Sequence, residues 1–401
     1  MKAIIRNALI DNFYLIVVFT YFTAMLLNTP IGVLRFVWPA LIIFNIRAFT
    51  TKIAGFKLII YIYILLNLFS IVNYSTNYLS INVFVLEVIT SILPIAFFFI
   101  GSNPAYTKQS FYNRALIAIA FLNIVGLYLY IAMPEWYVNW QVNLLFDTIP
   151  NLSFDSYTEY GRFASFMTSY YTSNLSVVAL IIAMYYIYDR GAKWYILLYV
   201  ILLSISILLA QHRVSLVFAI IFILLFHVYG LIRLKSASFI FLIITIMIVL
   251  IFPFFLVGRF GEMVALGVER FNNLNSVFSS RSDTWINAFE NQTNFLFGHG
   301  LGSGGHRAFF AGNKSAVLDG NYFKIIYENG FFGLIIFFII IIVTLFKGVK
   351  EFKLFKVEIT VIIYFLISAI GANVFNISYI AVMFWFCIGR IWNNKLYDNS
   401  K

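Results

Sequence analysis

A single cysteine, Cys387, stands in a chain of 401 residues, so neither a disulfide framework nor a cysteine-based zinc site is available to it. Charge is scarce as well. Charged residues make up 11% of the chain, against about 25% in soluble globular domains. A disordered chain needs charge and lacks bulky apolar groups, and this chain has the opposite balance. Only seven prolines interrupt it, leaving long stretches free to stay helical. What is present is apolar: 62% hydrophobic and 20% aromatic residues. That composition predicts an all-α polytopic membrane protein.

Apolar runs long enough to cross a hydrocarbon core of about 30 Å recur along the chain. They fall near 13–29, 30–46, 58–74, 82–100, 115–133, 166–188, 194–210, 214–232, 239–257, 330–346, 357–375 and 377–391. About 12 transmembrane helices are therefore expected, forming one integral membrane domain over residues 1–401, with both termini on the same side. The start, Met1-Lys2-Ala3-Ile4-Ile5-Arg6, is followed by an apolar run without a small-residue cleavage site, and reads as a retained first span.

The net charge of +11 is explained by this topology. With the N-terminus cytoplasmic, 18 of the 27 basic residues and five of the 16 acids lie on inner segments, giving +13 there. The outer segments carry −2, while Arg35 and Glu87 sit inside spans and cancel. This is the positive-inside pattern, and it removes the reason to invoke a nucleic-acid partner. Charges in hydrocarbon pair or line polar cavities, so Arg35 and Glu87 are expected to share a depth and to pair or flank a polar groove.

Two outer loops are long, at 134–165 and 258–329, and loops of that length are usually functional or disordered. Their tryptophans, Trp136, Trp140 and Trp285, and their many Phe and Tyr residues argue for order. In the larger loop, Phe260, Val264, Val268 and Phe271 recur at helical spacing, predicting an amphipathic interfacial helix. Ser282 or Asp283 is placed to cap a second short helix that carries Trp285 and Phe289. A flexible stretch, Gly298-His299-Gly300-Leu301-Gly302-Ser303-Gly304-Gly305, comes next, and Asp319-Gly320-Asn321 precedes the tenth span.

Three stretches of this region resemble the O-antigen polymerase and ligase superfamily. They are Arg281-Ser282-Asp283-Thr284-Trp285 with Phe295-Leu296-Phe297-Gly298-His299-Gly300-Leu301-Gly302; Asp319-Gly320-Asn321-Tyr322 with Tyr327-Glu328-Asn329-Gly330-Phe331-Phe332-Gly333; and Gln211-His212-Arg213 between two spans. Arg162, ending the smaller loop, is similar to the family's other loop arginine. Where ligases of the superfamily tend to have His-Asn, this chain has Asp319-Gly320, which favours polymerase over ligase.

The resemblance implies glycosyl transfer between polyprenyl-diphosphate-linked oligosaccharides on the periplasmic face of a bacterial inner membrane. It implies undecaprenyl-diphosphate-linked oligosaccharide as substrate, membrane lipid and a chain-length regulator as partners, and no nucleotide or other cofactor. Such chemistry needs cations for the departing diphosphate and a base for the acceptor hydroxyl. Arg162, Arg213, Arg281 and Arg307 are the candidates for the first task. Arginines at a span edge also serve simply by snorkelling to the headgroups. Asp319 and Glu328 are the candidate bases; Asp319 equally suits a helix N-cap, and Glu328 a helix end. His299, Tyr322 and Trp285 are candidate sugar contacts. His299 and His306 lack a third ligand at a motif spacing, so no metal is expected. Gly300, Gly302 and Gly305 match a dinucleotide fingerprint, but an outer loop offers no βαβ unit to make it meaningful. A flippase or secondary transporter would share the composition, but it tends towards midplane charges and half-to-half symmetry.

Overall fold

A computed structural model describes residues 9–28, 55–72, 81–103, 110–145, 162–191, 193–233, 274–290, 294–313, 315–376 and 378–393. Among these there is helix and no strand. In chain order the helices are α1 (Phe13–Leu26), α2 (Phe56–Phe69), α3 (Ile81–Gly101), α4 (Ser110–Ala132), α5 (Glu135–Leu145), α6 (Ser169–Arg190), α7 (Trp194–Ala210), α8 (Arg213–Arg233), α9 (Leu274–Glu290), α10 (Gly305–Phe310), α11 (Asn321–Lys350), α12 (Phe352–Gly371) and α13 (Ser378–Ile391). Five of them, α3, α4, α6, α11 and α12, are long and apolar enough to cross a membrane. Shorter apolar helices coincide with the expected spans at 13–29, 58–74, 194–210, 214–232 and 377–391. The expected spans at 30–46 and 239–257, the amphipathic helix at 260–271 and Arg35 lie outside the described residues. The chain is thus a helical, membrane-embedded protein.

The chain divides into two compact units. The first combines residues 1–34 and 109–274, and α6 is its centre. Every residue of α6 from Thr172 to Met184 is buried, as expected of a helix surrounded by others. Two of its buried polar side chains are bonded: Asn123 of α4 donates to Ser176 Oγ at 3.1 Å, and Asn174 donates to Tyr170 O at 2.8 Å. Thr168 caps the helix start by accepting the Tyr171 amide at 3.3 Å, and Gly191, at φ 83°, ends it. At the start of the segment expected as the smaller loop, Glu135–Leu145 is helical and anchored. Trp140 of α5 donates to Phe166 O at 3.1 Å, and Gln141 donates to Ser165 O at 2.6 Å and Met167 O at 3.1 Å.

The second unit combines residues 35–108 and 275–401. Its centre is α13, buried on all sides from Tyr379 to Ile391. It packs against α3, α11 and α12. Close approach to α3 is made by small residues, as is common between membrane helices. A Cβ on Gly101 would lie 2.6 Å from Phe386 O, and one on Gly389 would collide with Phe98 O. The far end of this unit is held by Arg390, whose Nε donates to Glu358 Oε1 at 2.7 Å, and by Asn393, whose amide donates to Asn103 O at 2.8 Å. Trp392 stacks on Phe56 at 3.9 Å between ring centroids and carries Lys347 Nζ over its face at 4.1 Å.

Replacing Gly389 by alanine should force the backbones of α3 and α13 apart and cost about 1–3 kcal/mol, the usual price of overpacking. Thermal unfolding of the detergent-solubilised protein measures it; an unchanged Tm would contradict the close packing at this crossing.

Candidate functional site

The site grows from a break in α11. Gly330 has φ 66° and ψ −172°, outside the helical region, and such a backbone favours glycine. The break deprives four backbone groups of their helical partners. In an unbroken helix the carbonyls of Tyr327 and Glu328 would accept the amides of Phe331 and Phe332. Here the Phe331 amide donates to Phe295 O at 2.9 Å and the Phe332 amide to Leu296 O at 3.3 Å. The two carbonyls accept the amides of His299 and Gly300, both at 2.8 Å. The segment 295–300 therefore completes the helix in place of its own next turn. A Cβ on Gly330 would run into Leu296 O, and one on Gly298 would run into Glu328 C.

The expected flexible stretch is consequently fixed. Leu301 N donates to Ser70 Oγ at 2.7 Å and Gly305 N to Val317 O at 2.7 Å. Gly298, Gly300, Gly302 and Gly305 all have positive φ, from 71° to 105°. Along this stretch two alternate amides, those of Gly302 and Gly304, converge on one point, as amides do in an anion nest. The anion is the protein's own: Gly302 and Gly304 donate to Glu328 Oε1 at 3.0 and 3.2 Å. The glycine spacing serves an internal carboxylate, and no strand precedes it.

Glu328 belongs to a buried charge cluster. Lys324 lies one turn earlier on α11, with Nζ 3.5 Å from Glu328 Oε1 and 3.2 Å from Glu87 Oε1. Arg307 of α10 reaches the same Glu87 oxygen at 3.3 Å and donates to Thr90 Oγ1 at 3.0 Å. Glu87 Oε2 accepts Ser91 Oγ at 2.7 Å and Asn376 Nδ2 at 2.9 Å. Two carboxylates and two cations thus balance. Lys324, Glu87 and Glu328 have side chains 2–4% exposed, whereas that of Arg307 is 33% exposed.

The geometry of α3 admits this cluster. Directly after Glu87 the helix widens into a π-turn at Val88–Ile92 and tightens at Leu93–Ile95. Pro94 lacks the amide that a regular helix would use here and crowds the preceding turn. π-Turns inside α-helices occur frequently at functional sites. Asn376 donates to Ser91 Oγ at 2.7 Å as well as to Glu87. Asn321, the first residue of α11, in turn donates to Asn376 Oδ1 at 2.9 Å.

A half-exposed edge lies on the segments next to this cluster. His306 Nε2 and Asp319 Oδ1 are 3.7 Å apart, with side chains 43% and 33% exposed. Asp319 is no N-cap: Gly320 takes that place without a side-chain cap. The Asp319 carbonyl instead accepts Trp285 Nε1 at 2.7 Å, and Trp285 stacks on Phe323 at 4.2 Å. Neither Ser282 nor Asp283 starts a helix, because α9 begins at Leu274 and runs through both. The apolar residues Leu274, Val277 and Phe278 and the absence of any Gly or Pro extend it upstream.

The sequence-derived candidates therefore separate. Arg307, Glu328, Asp319 and Trp285 belong to the second unit's site, and Arg281 lies on α9 one turn before Trp285. Tyr322 is committed elsewhere, donating to Leu366 O at 2.7 Å. His299 is buried with its ring 4.8 Å from that of Tyr327; burial pulls its pKa down and favours the neutral imidazole. Arg162 and Arg213 belong to the first unit. There the Phe163 amide donates to Leu209 O at 3.2 Å, bringing the segment of exposed Arg162 beside the helix end that leads to Arg213. His212 of that turn lies 2.6 Å from Ser215 Oγ and edge-on to Tyr170 at 4.9 Å. Sequence reasoning missed Lys324 and Asn376. The i,i+4 spacing of Lys324 and Glu328 was a visible signal; nothing in the sequence marks Asn376.

Among the described residues no three His, Cys, Asp or Glu side chains stand together to hold a metal ion. No family model, curated protein or solved structure matches the chain.

Lys324→Met should leave two buried carboxylates facing one remaining cation, a loss of about 3–5 kcal/mol for a broken buried pair. Adding Glu87→Gln to it should recover part of that loss, read as the coupling in a double-mutant cycle of thermal stability. Additive losses would show that the two side chains do not interact.

Proposed function

We propose that the chain is a membrane-embedded glycosyltransferase that polymerises bacterial surface polysaccharide. It transfers glycan from one polyprenyl-diphosphate-linked oligosaccharide to the sugar end of another on the outer face of the inner membrane. In this reaction the acceptor hydroxyl attacks the anomeric carbon, the bond from that carbon to the diphosphate oxygen breaks, the hydroxyl proton passes to a base, and polyprenyl diphosphate leaves. The observation that carries the reading is the half-exposed edge of Arg307, His306 and Asp319, held by an ordered loop at the head of a membrane-crossing helix. An arginine suits a departing diphosphate because its charge is permanent and its donors are forked.

Between the two candidate bases the geometry favours Asp319. Glu328 is occupied by two amides and Lys324, whereas the Asp319 carboxylate is one-third exposed beside an imidazole. Arg281, one turn before Trp285, is a second candidate for the diphosphate. The Asp319-Gly320 pair, where ligases of the superfamily tend to have His-Asn, supports polymerase over ligase. A chain-length regulator is a proposed partner. A second reading, a polysaccharide flippase or transporter, draws on the interrupted α3 and α11 around buried charge, since broken helices often line transport sites.

The test is incubation of the purified protein with polyprenyl-diphosphate oligosaccharide alone. A ladder of longer chains is the expected result. Asp319→Asn should slow its formation by about 10²-fold or more, as loss of a general base does, and Arg307→Gln should also slow it. Products that form only after lipid A core is added would make the chain a ligase. Passage of the oligosaccharide across a liposome without chemistry would make it a transporter.

A further inference from the structure

The segment Asn294–Gly298 carries three consecutive bulky apolar residues that the fold leaves uncovered. Phe295, Leu296 and Phe297 are 44%, 56% and 55% exposed, and Phe331 and Phe332, whose amides donate to the carbonyls of Phe295 and Leu296, are 44% and 45% exposed. The rings are ordered against one another. Phe295 stacks with Phe331 at 6.4 Å, Phe297 with Phe332 at 5.3 Å, and Phe289 of α9 with Phe295 at 6.4 Å. A contiguous exposed apolar patch of this kind marks an interaction surface.

What covers the patch follows from its continuity with α11. Past the break, α11 buries Gly333, Phe337, Ile340, Ile341, Thr344 and Gly348 against its own unit. Its other face exposes Ile335, Phe338, Ile339, Ile342, Val343 and Phe346. In a membrane-embedded helix that face meets lipid. Depth can be gauged from the far end, where Lys347 and Lys350 stand in the last turn. From Phe331 to Lys347 the helix rises about 24 Å at ~1.5 Å per residue, less than the hydrocarbon thickness of about 30 Å. With Lys347 at one boundary, Phe331 and Phe332 are still within reach of acyl chains at the other. The residues paired to them lie at the same depth.

We propose that Phe295, Leu296, Phe297, Phe331 and Phe332 form a membrane-inserted ledge whose side chains sit among the acyl chains of the bilayer. Non-helical backbone is tolerated near hydrocarbon only when its polar groups are satisfied by protein. Four of the turn's backbone groups meet that condition. The carbonyls of Phe295 and Leu296 accept the α11 amides, the Phe297 amide donates to Asn294 Oδ1 at 3.0 Å, and the Gly298 amide donates to Asn294 O at 2.9 Å. The ledge thereby sets the depth of the charge cluster, because Glu328 is only three residues before Phe331 on the same helix. This inference stands on membrane embedding and holds whether or not the chain transfers sugars.

A nitroxide on Leu296→Cys, in the full-length protein reconstituted into phosphatidylethanolamine–phosphatidylglycerol vesicles, reads the depth directly. Cys387 is fully buried and is left in place, with single labelling confirmed by mass spectrometry. The expected result is a ratio of oxygen to nickel-chelate collision rates several-fold higher at position 296 than at Ala311→Cys, an exposed site in the same loop. Phe297→Cys gives the same comparison should Leu296→Cys fail to fold. A ratio equal to that at position 311 would overturn the proposal. So would a label that is water-accessible in vesicles and becomes protected only when polyprenyl diphosphate is added, since the occupant would then be the substrate's own chain.

Discussion

Everything in the second unit's polar region depends on how α11 survives its break at Gly330. A backbone amide or carbonyl left unpaired in a buried site costs about 1–3 kcal/mol, and more where only lipid is near. The break exposes two amides and two carbonyls to that penalty. All four are met by one segment, residues 295–300, which takes the amides of Phe331 and Phe332 and supplies those of His299 and Gly300. A segment bound in this way cannot shift without unpairing the helix. It therefore forms a fixed part of the helix's hydrogen-bond pattern, and the positive-φ glycines that follow it are aimed by the same constraint.

The charge cluster is the second consequence. Once the glycine amides are aimed, they favour a negative group, and Glu328 is the group that α11 brings there. A carboxylate beneath a loop then needs a counter-ion. Lys324 is supplied one turn away on the same helix, but it also contacts Glu87, which in turn binds Arg307. Removing two charges from water is costly, and the mutual attraction offsets that cost only when the remaining hydrogen-bond sites are filled. Glu87 meets this condition with Ser91 and Asn376, and Glu328 meets it with Gly302 and Gly304. Arg307 is the member that reaches solvent, so the cluster has one outlet.

The apolar helices are legible in the sequence for a physical reason: apolar runs of spanning length leave little choice of structure, and ten of the described helices fall on such runs, whereas α5, α9 and α10 do not. Glu87 stood out because a charge inside an apolar run is rare. Its partner was not readable. The described partners of Glu87 are Lys324 and Arg307, more than 200 residues downstream, while Arg35 lies outside the described residues. Pairing across that distance depends on the loop path, which follows from the Gly330 break and has no local sequence signal beyond the glycine itself. The glycine run was read as flexible because glycine permits many conformations. Which one it adopts is decided by the carbonyls it meets. Asp319 shows the same limit. A residue two before a helix suits a cap, but Gly320 at φ 91° turns the chain so that the Asp319 carbonyl faces Trp285 while its carboxylate faces His306.

The position of the cluster on α11 links these observations to the bilayer. Toward its N-terminus from Gly330 the helix carries Glu328, Lys324 and Asn321, all buried in polar contacts. Toward its C-terminus it carries Phe331 and Phe332 and then an exposed apolar stripe. One residue thus separates two kinds of surface. A straight helix would spread that change over several turns. The break makes it abrupt, because the segment that repairs the helix presents glycine amides to the polar side and phenylalanine side chains to the apolar side. A substrate with a polar head and a long hydrocarbon tail requires both environments within a few ångströms of one another. The proposed reading of the second unit as a site for a lipid-linked diphosphate rests on the half-exposed edge of Arg307, His306 and Asp319, and this juxtaposition adds a place for the hydrocarbon tail.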